Sequence, residues 1–329
     1  MKFFSVGLQP TFQDSGRFGF QASGINPDGV MDVHTFRLLN VLLQNDENEG
    51  ILEMNFPAPK LLFEENATIC IGGADFNAML NQQPIPLFKT VNVSTGDVLT
   101  FTKKTSGERT YLAAKGGFNL EKWLGSVSHN QAVNLPDLKI EKGRSVELKT
   151  SGRVEKLVWL GREMRFLFRL SVPPAVQKVE DCSLSQPPWE IRFLPGPEYD
   201  ILTNEAKQKL QNSAFQITKD ANRMGYRLGG EALETIKDIS LLSSAVTFGT
   251  MQLLPDGQLI ILMASHQTTG GYPNIGTVTL TDLPALAQSG SGQLIRFIPL
   301  PLLEAESLYL AWQKRVRRLR ISLKLVIKS

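Results

Sequence analysis

Apolar positions in the first half of the chain fall into short runs rather than long helical stripes. "KLLF", "ATICIG", "TVNV", "VLTFTK" and "RTYLAAKGG" are rich in Val, Ile, Thr, Leu and Tyr, and turn clusters such as "STGD" and "KTSGE" separate them. β-Branched and aromatic runs bounded by Gly, Ser and Asp predict strands joined by turns. "FNAMLNQQPIPLFK" reads as a hairpin around Asn81-Gln82. The opening "MKFFSVGLQP" predicts a first strand, because Gly7, Gln9 and Pro10 stop its apolar run too early for a signal peptide. One segment, about 32–45, has a different period. Asp32 stands as a cap before Phe36, Leu39, Val41 and Leu43, on or near one helical face. A second β-rich stretch starts near Trp189 and runs through "WEIRFLPGPE", a helix near 203–212, "SAFQITK", "QLIILMA", "GTVTL" and "QLIRFI". Between the two lies "PPAVQKVEDCSLSQPP", polar and proline-flanked, which reads as a linker. Short strands at this density predict a closed or sandwiched β structure rather than a doubly wound α/β sheet.

The halves also resemble one another. "DSGRFGFQASG" (14–24) lies over "DANRMGYRLGG" (220–230) without a gap, matching Asp14 with Asp220, Arg17 with Arg223, Gly19 with Gly225 and Phe20 with Tyr226. "EENATICIGGAD" then resembles "PDGQLIILMASH", and "STGDVLTF" resembles "GSGQLIRF", in the same order. Three matches in one order predict two copies of one β-rich fold arising by duplication. The expected division is 1–180, 181–304 and a C-terminal segment 305–329. In that last segment Leu308, Trp312, Val316, Leu319, Leu323 and Val326 recur at steps of three or four, an amphipathic stripe. Such a helix either packs its stripe on the body or docks on an acidic partner or anionic lipid.

Charge changes the picture only at this end. The net charge of +3 includes seven basic residues in the last sixteen positions, where no acid occurs. Without them 28 Lys and Arg face 32 Asp and Glu, so the body is mildly acidic and carries no nucleic-acid footprint. No apolar run is long enough to span a membrane. Cys70 and Cys182 lie far apart with no metal-ligand spacing, which fits a reducing, cytoplasmic setting.

Several chemistries are excluded. Gly271 and Gly276 have P-loop spacing, but Thr277 stands where the lysine is needed, so there is no Walker phosphate cradle. No G-x-S-x-G elbow occurs. His34, His129 and His266 share no metal-ligand spacing, and no metal site is expected. No Met-Lys-Met marks a biotin-carrying lysine. What remains is polar and glycine-rich. Arg17 and Arg223 each follow an acidic residue among glycines, so each either grips an anion in bidentate fashion or braces a turn against Asp14 or its counterpart. Asp28, Gly29 and Asp32 precede the first helix, as an anion site or as a simple cap. In "HQTTGGYP", Gly270-Gly271 lets backbone approach a ligand closely, while His266, Gln267, Thr268, Thr269 and Tyr272 offer polar groups. A loop for a polar small molecule, lined also by Arg223 or Tyr226, is the reading preferred over a plain turn. No nucleophile–base pair stands out, so the catalytic residues stay unassigned.

With "GLQPTFQDSGRFGF", "GVMD", "GGAD", "GDVLTF", "LPGPE", "NRMGYRLGG", "GTMQLLPDGQ", "HQTTGGYP" and "AQSGSGQLIRF" in this order, the chain resembles the family of 5-oxoprolinase C subunits over roughly residues 5–300. That family is also called the KipA type, allophanate hydrolase subunit 2, or the biotin-dependent carboxyltransferase domain family. The resemblance implies a mainly β fold of two tandem cyclophilin-like β-barrels with a few short helices. It implies a complex with a KipI-type B subunit plus an A subunit, which together cleave 5-oxoproline to glutamate at the expense of ATP. Its relatives include a carboxyltransferase using carrier-borne biotin and a regulator that antagonises a kinase inhibitor. Ser265 stands where the family usually has an acidic residue, and "GSVSH" (125–129) where it usually has "GSRST".

Overall fold

Strands β5 (Ala67–Asp75) and β10 (Ser106–Ala114) owe their unbroken apolar runs to cover on both faces. On one side helix α1 (Val33–Leu42) packs across them, and on the other lies the core. The computed structural model describes residues 1–130, 133, 138–150, 188–237 and 241–328, with side chains as far as 325. The linker read at 173–188 lies, but for its last residue, outside the described residues, as does Cys182.

Among the described residues, the first of two units holds ten strands. The others are β1 (Lys2–Ser5), β2 (Leu8–Gln13), β3 (Ile51–Asn55), β4 (Lys60–Leu62), β6 (Ala78–Leu80), β7 (Gln83–Pro84), β8 (Thr90–Val93) and β9 (Val98–Phe101). They form two five-stranded sheets, ordered β1-β4-β9-β6-β7 and β2-β3-β10-β5-β8. Phe3, Leu61 and Leu99 from one sheet meet Phe12, Leu52, Ile69 and Leu112 from the other in one core. Each fully buried side chain of this size contributes on the order of 1.5–3 kcal/mol. Local chemistry fixes the elements as expected. Asn81 and Gln82 take positive φ of 49° and 67°, the two-residue turn that matches strand twist, and Leu80 pairs with Gln83. The Asp32 carboxylate caps α1 by accepting from Thr35 N at 2.9 Å and Thr35 Oγ1 at 2.7 Å.

In the second unit β11 (Trp189–Pro195), β12 (Phe215–Ile217), β13 (Gly225–Gly229), β15 (Thr250–Leu253), β16 (Leu259–Leu262), β18 (Asn274–Val278) and β19 (Leu294–Pro299) close a seven-stranded barrel. Closure runs in the order β11-β18-β15-β16-β13-β12-β19, with β19 parallel to β11. Phe193, Phe215 and Phe297 fill it, with ring centroids 5.7 and 6.1 Å apart. Helix α2 (Asn204–Asn212), capped by Thr203, and the short α3 (Leu283–Ala287) flank the barrel. A separate ribbon pairs β14 (Ser244–Ala245) with β17 (Thr269–Gly270).

The units do not follow the chain. One takes in Met1–Arg17, the first half from Asp28 onward and the end from Gln313; the other takes Phe18–Pro27 and the second half as far as Trp312. The ungapped overlay of 14–24 on 220–230 is not matched locally. Gly225 and Tyr226 begin strand β13, whereas Gly19 and Phe20 precede a single 3-10 turn at Gln21–Ser23.

Helix α4 (Leu302–Lys328) ends the described chain. Trp312, Val316, Leu319 and Leu323 are all at most 4% exposed, so the stripe is packed rather than displayed. The side chain of Val326 lies outside the described residues. The helix is tied to the first unit by Arg37, which donates to Gln313 at 2.8 Å, and by Arg320 on Glu47.

Candidate functional site

The polar residues singled out by sequence divide between two environments. In the first unit, Asp14 and Arg17 are buried among their own neighbours, with the Arg17 Nε left without a hydrogen-bond partner among the described residues. The Asp14 carboxylate accepts from Gly16 N at 2.8 Å, Ser126 Oγ at 2.6 Å, Ser128 Oγ at 2.7 Å and Val127 N at 2.9 Å. It therefore anchors "GSVSH" to the end of β2. Arg17 does not pair with Asp14 but donates to Asp28 at 2.8 Å and to the Ser128 carbonyl, and its guanidinium lies 4.8 Å from the Trp123 ring centroid. Asn130 completes the Asp28 carboxylate at 2.7 Å. Burial pulls the Arg17 pKa down, opposed by Asp28 and then Asp14.

Asp32 also looks inward. Besides capping α1, its N–H donates to Tyr111 Oη at 3.0 Å, and the N–H of Met31 donates to Glu53 at 2.9 Å. Burial, then Glu53 and Asp32, hold the Tyr111 phenol well above its ordinary pKa, so it stays neutral and its oxygen can accept. Asp14, Arg17 and Asp32 thus hold loops of the first unit in place, and the other candidates belong to the second.

There Arg223 meets Ser265, and the other candidates lie along the loop that follows it or in β13. The Ser265 N–H donates to the Arg223 carbonyl at 2.8 Å, and Ser265 Oγ accepts from Arg223 Nε at 3.3 Å. Its carbonyl accepts from Asn26 Nδ2 at 3.2 Å. His266 is buried, with its N–H on the Met263 carbonyl and Nδ1 2.6 Å from the Gln267 carbonyl. Gln267 and Thr268 are half-buried, while Thr269, Gly271 and Tyr272 are exposed. The Thr268 carbonyl accepts from Val246 N at 3.2 Å, and Gln252 Nε2 donates to the Tyr272 carbonyl at 3.3 Å. A Cβ on Gly270 would stand 2.3 Å from Gln252 Nε2, so the space beside this glycine is taken by a buried protein side chain. Tyr226 sits apart from the loop's surface, 2% exposed in β13 opposite Ile261.

This arrangement offers one arginine, one serine hydroxyl and an accessible Thr-Thr-Gly ribbon. The partner of Ser265 Oγ is a guanidinium rather than a base, so it is not activated as a nucleophile. These are groups of the kind that can hold an anion or polarise a carbonyl oxygen. Asn26 and Gln252 were not singled out by the sequence, since nothing at 26 or 252 signals a partner more than 200 or about 20 positions away. Ser265 was visible only as a departure from the family pattern. Among the described residues no group of His, Cys, Asp and Glu is arranged to hold a metal, and no helix is long and apolar enough to cross a membrane.

Residues 23–299 match the family described as "Carboxyltransferase domain, subdomain A and B". The chain is 33% identical to the 5-oxoprolinase C subunit of Escherichia coli over 307 residues, 93% of each chain. It is 33% identical to the protein of the same name from Haemophilus influenzae over 303 residues, 92% of each. The crystal structure of Kluyveromyces lactis urea carboxylase has the same fold, with a TM-score of 0.83 at 24% identity over 97% of this chain and 29% of that one. The chain belongs to the carboxyltransferase domain family of subdomains A and B, among whose members are the bacterial 5-oxoprolinase C subunits.

Proposed function

We propose that this chain is the C subunit of an ATP-dependent 5-oxoprolinase, working with the A and B subunits to open 5-oxoproline to glutamate. The observation that carries the reading is the 33% identity over 93% of both chains with a protein of that name. A yeast urea amidolyase, in contrast, is 25% identical and is covered over only 17% of its length. The second-unit cluster has the polarity this substrate needs. In the proposal Arg223 receives the substrate carboxylate, and the Thr268 and Thr269 hydroxyls with the backbone amide at Gly271 face the lactam oxygen. Stabilising charge on that oxygen favours attack at the carbonyl carbon.

The Gly271–Gly276 stretch, with its phosphate-loop spacing, does not fit the phosphates. Gly276 lies inside strand β18 rather than before a helix, with Thr277 in the lysine position, so the spacing builds no cradle. ATP is accordingly assigned to the other subunits, and no step on this chain is routed through it. The test is co-expression with the A and B subunits and an assay for ATP-dependent glutamate release from 5-oxoproline. Release that requires all three chains and ATP supports the reading; a full rate from the other two without this chain overturns it. The match to a carboxyltransferase domain favours a second reading, carboxyl transfer from biotin on a separate carrier chain. Carboxylation of urea by this chain with a carboxylated carrier, and no glutamate release, replaces the first reading with the second.

A further inference from the structure

Helix α4 has a second face that is largely exposed. At 3.6 residues per turn, Trp312, Val316, Leu319 and Leu323 form the buried side. Leu310, Ile321 and Leu325 fall on the opposite side within roughly 60° of arc. These three are 49%, 51% and 66% exposed. Arg317 and Lys324 flank this aliphatic ridge on one edge and Arg318 on the other, with Lys314 between Ile321 and Leu325. All four cations are exposed, and none makes an ion pair or hydrogen bond among the described residues. The helix lies beyond residues 23–299, the span that matches the family.

We propose that this outward face docks on an anionic phospholipid surface. An aliphatic ridge edged by Lys and Arg is the pattern of a helix lying in the plane of a membrane interface, apolar side chains below the headgroups and cations beside the phosphates. Charge complementarity selects that occupant. The last sixteen residues carry seven basic side chains and no acid, whereas the rest of the chain has a net charge of −4. An anionic surface therefore attracts this helix and repels the body, which orients the molecule on one face. RNA would satisfy the cations but leave three aliphatic side chains against phosphate. An acidic protein would need a matching apolar groove as well.

The experiment is co-sedimentation of the full chain with phosphatidylcholine vesicles, with and without phosphatidylglycerol. The expected result is sedimentation only with phosphatidylglycerol, released by salt. Binding should fall roughly fivefold for each basic residue removed. Arg317→Gln, Arg318→Gln and Lys324→Gln together should then abolish it. Ile321→Ser with Leu325→Ser should weaken it at an unchanged melting temperature. Should either multiple variant melt early, Arg317→Gln alone and the salt series on the unaltered chain carry the test. No binding to the anionic vesicles overturns the proposal. So do equal binding of the altered chains, equal binding to pure phosphatidylcholine, and a dimer by light scattering that the Ile321 and Leu325 changes disperse.

Discussion

Arg17 and Arg223 occupy matching positions in two similar stretches of sequence, yet they live in opposite physical conditions. Arg17 is 1% exposed and enclosed by Asp28, the Ser128 carbonyl and Trp123. Arg223 is half-buried on a hairpin between β12 and β13 and holds a serine hydroxyl. The first is a charge whose removal leaves a buried carboxylate stranded. The second is half-buried and holds a serine hydroxyl among its contacts. The same Asp-x-x-Arg-x-Gly string therefore supplies a brace in one unit and a candidate ligand in the other.

The sharpest way to break this comparison is at Arg17. Arg17→Met should cost about 3–5 kcal/mol, because Asp28 is left as an uncompensated buried charge. Urea unfolding measures it, and Asp28→Asn, which tolerates the positive φ of 55° at this position, added to Arg17→Met should recover most of the loss. A stability equal to that of the unaltered chain would mean that Arg17 is not a brace. Arg223→Met should instead leave stability within about 1 kcal/mol. In the reconstituted complex it should slow glutamate release roughly a hundredfold, as expected for losing a donor to a reacting oxygen. If it unfolds the chain while leaving activity per folded molecule intact, the contrast with Arg17 disappears.

Acid should single out the first unit. Burial, then Arg37, lowers the His34 pKa to about 3. The unfolded chain binds that proton near pH 6.5 and the native chain does not, so stability is lost as pH falls from about 6.5 towards 3, by up to about 1.4 kcal/mol per unit. His34→Leu should flatten that limb in unfolding curves taken across the window; an unchanged slope would show that His34 is not its cause. The smallest expected effect lies on the ribbon. Thr268→Val with Thr269→Val keeps shape and removes two hydroxyls, and glutamate release should fall roughly tenfold, about 1.4 kcal/mol. Unchanged activity would make the ribbon a turn and nothing more.

Features decided within a few residues were legible in the sequence. Asp32 three positions before Thr35 gives a cap, Asn81-Gln82 gives a two-residue hairpin, and the Trp312–Leu323 spacing gives a packed stripe. Features decided by distant partners were not. The choice of Arg17 between Asp14 and Asp28 depends on Ser126 and Ser128, which arrive from more than 100 positions away to occupy Asp14. Gly270 looked like a place for a ligand's close approach, and the close approach is real, but Gln252 makes it. Periodicity reports which face is inside and cannot report which neighbour waits there.

The membership of Phe18–Pro27 has a consequence in time. These residues leave the ribosome before any strand of the barrel they join, and Asn26 must wait 239 positions for the Ser265 carbonyl it holds. The barrel closes its own ladder without them, but the surroundings of Ser265 are finished only when an early piece of chain meets a late one. Dividing the chain between its two halves would strand that piece on the wrong fragment. A half-length product made from the second part alone can form its strands and still lack the Asn26 donor to the Ser265 carbonyl. Joining early and late synthesis at this point makes the surroundings of Ser265 wait for both ends of the chain that builds them.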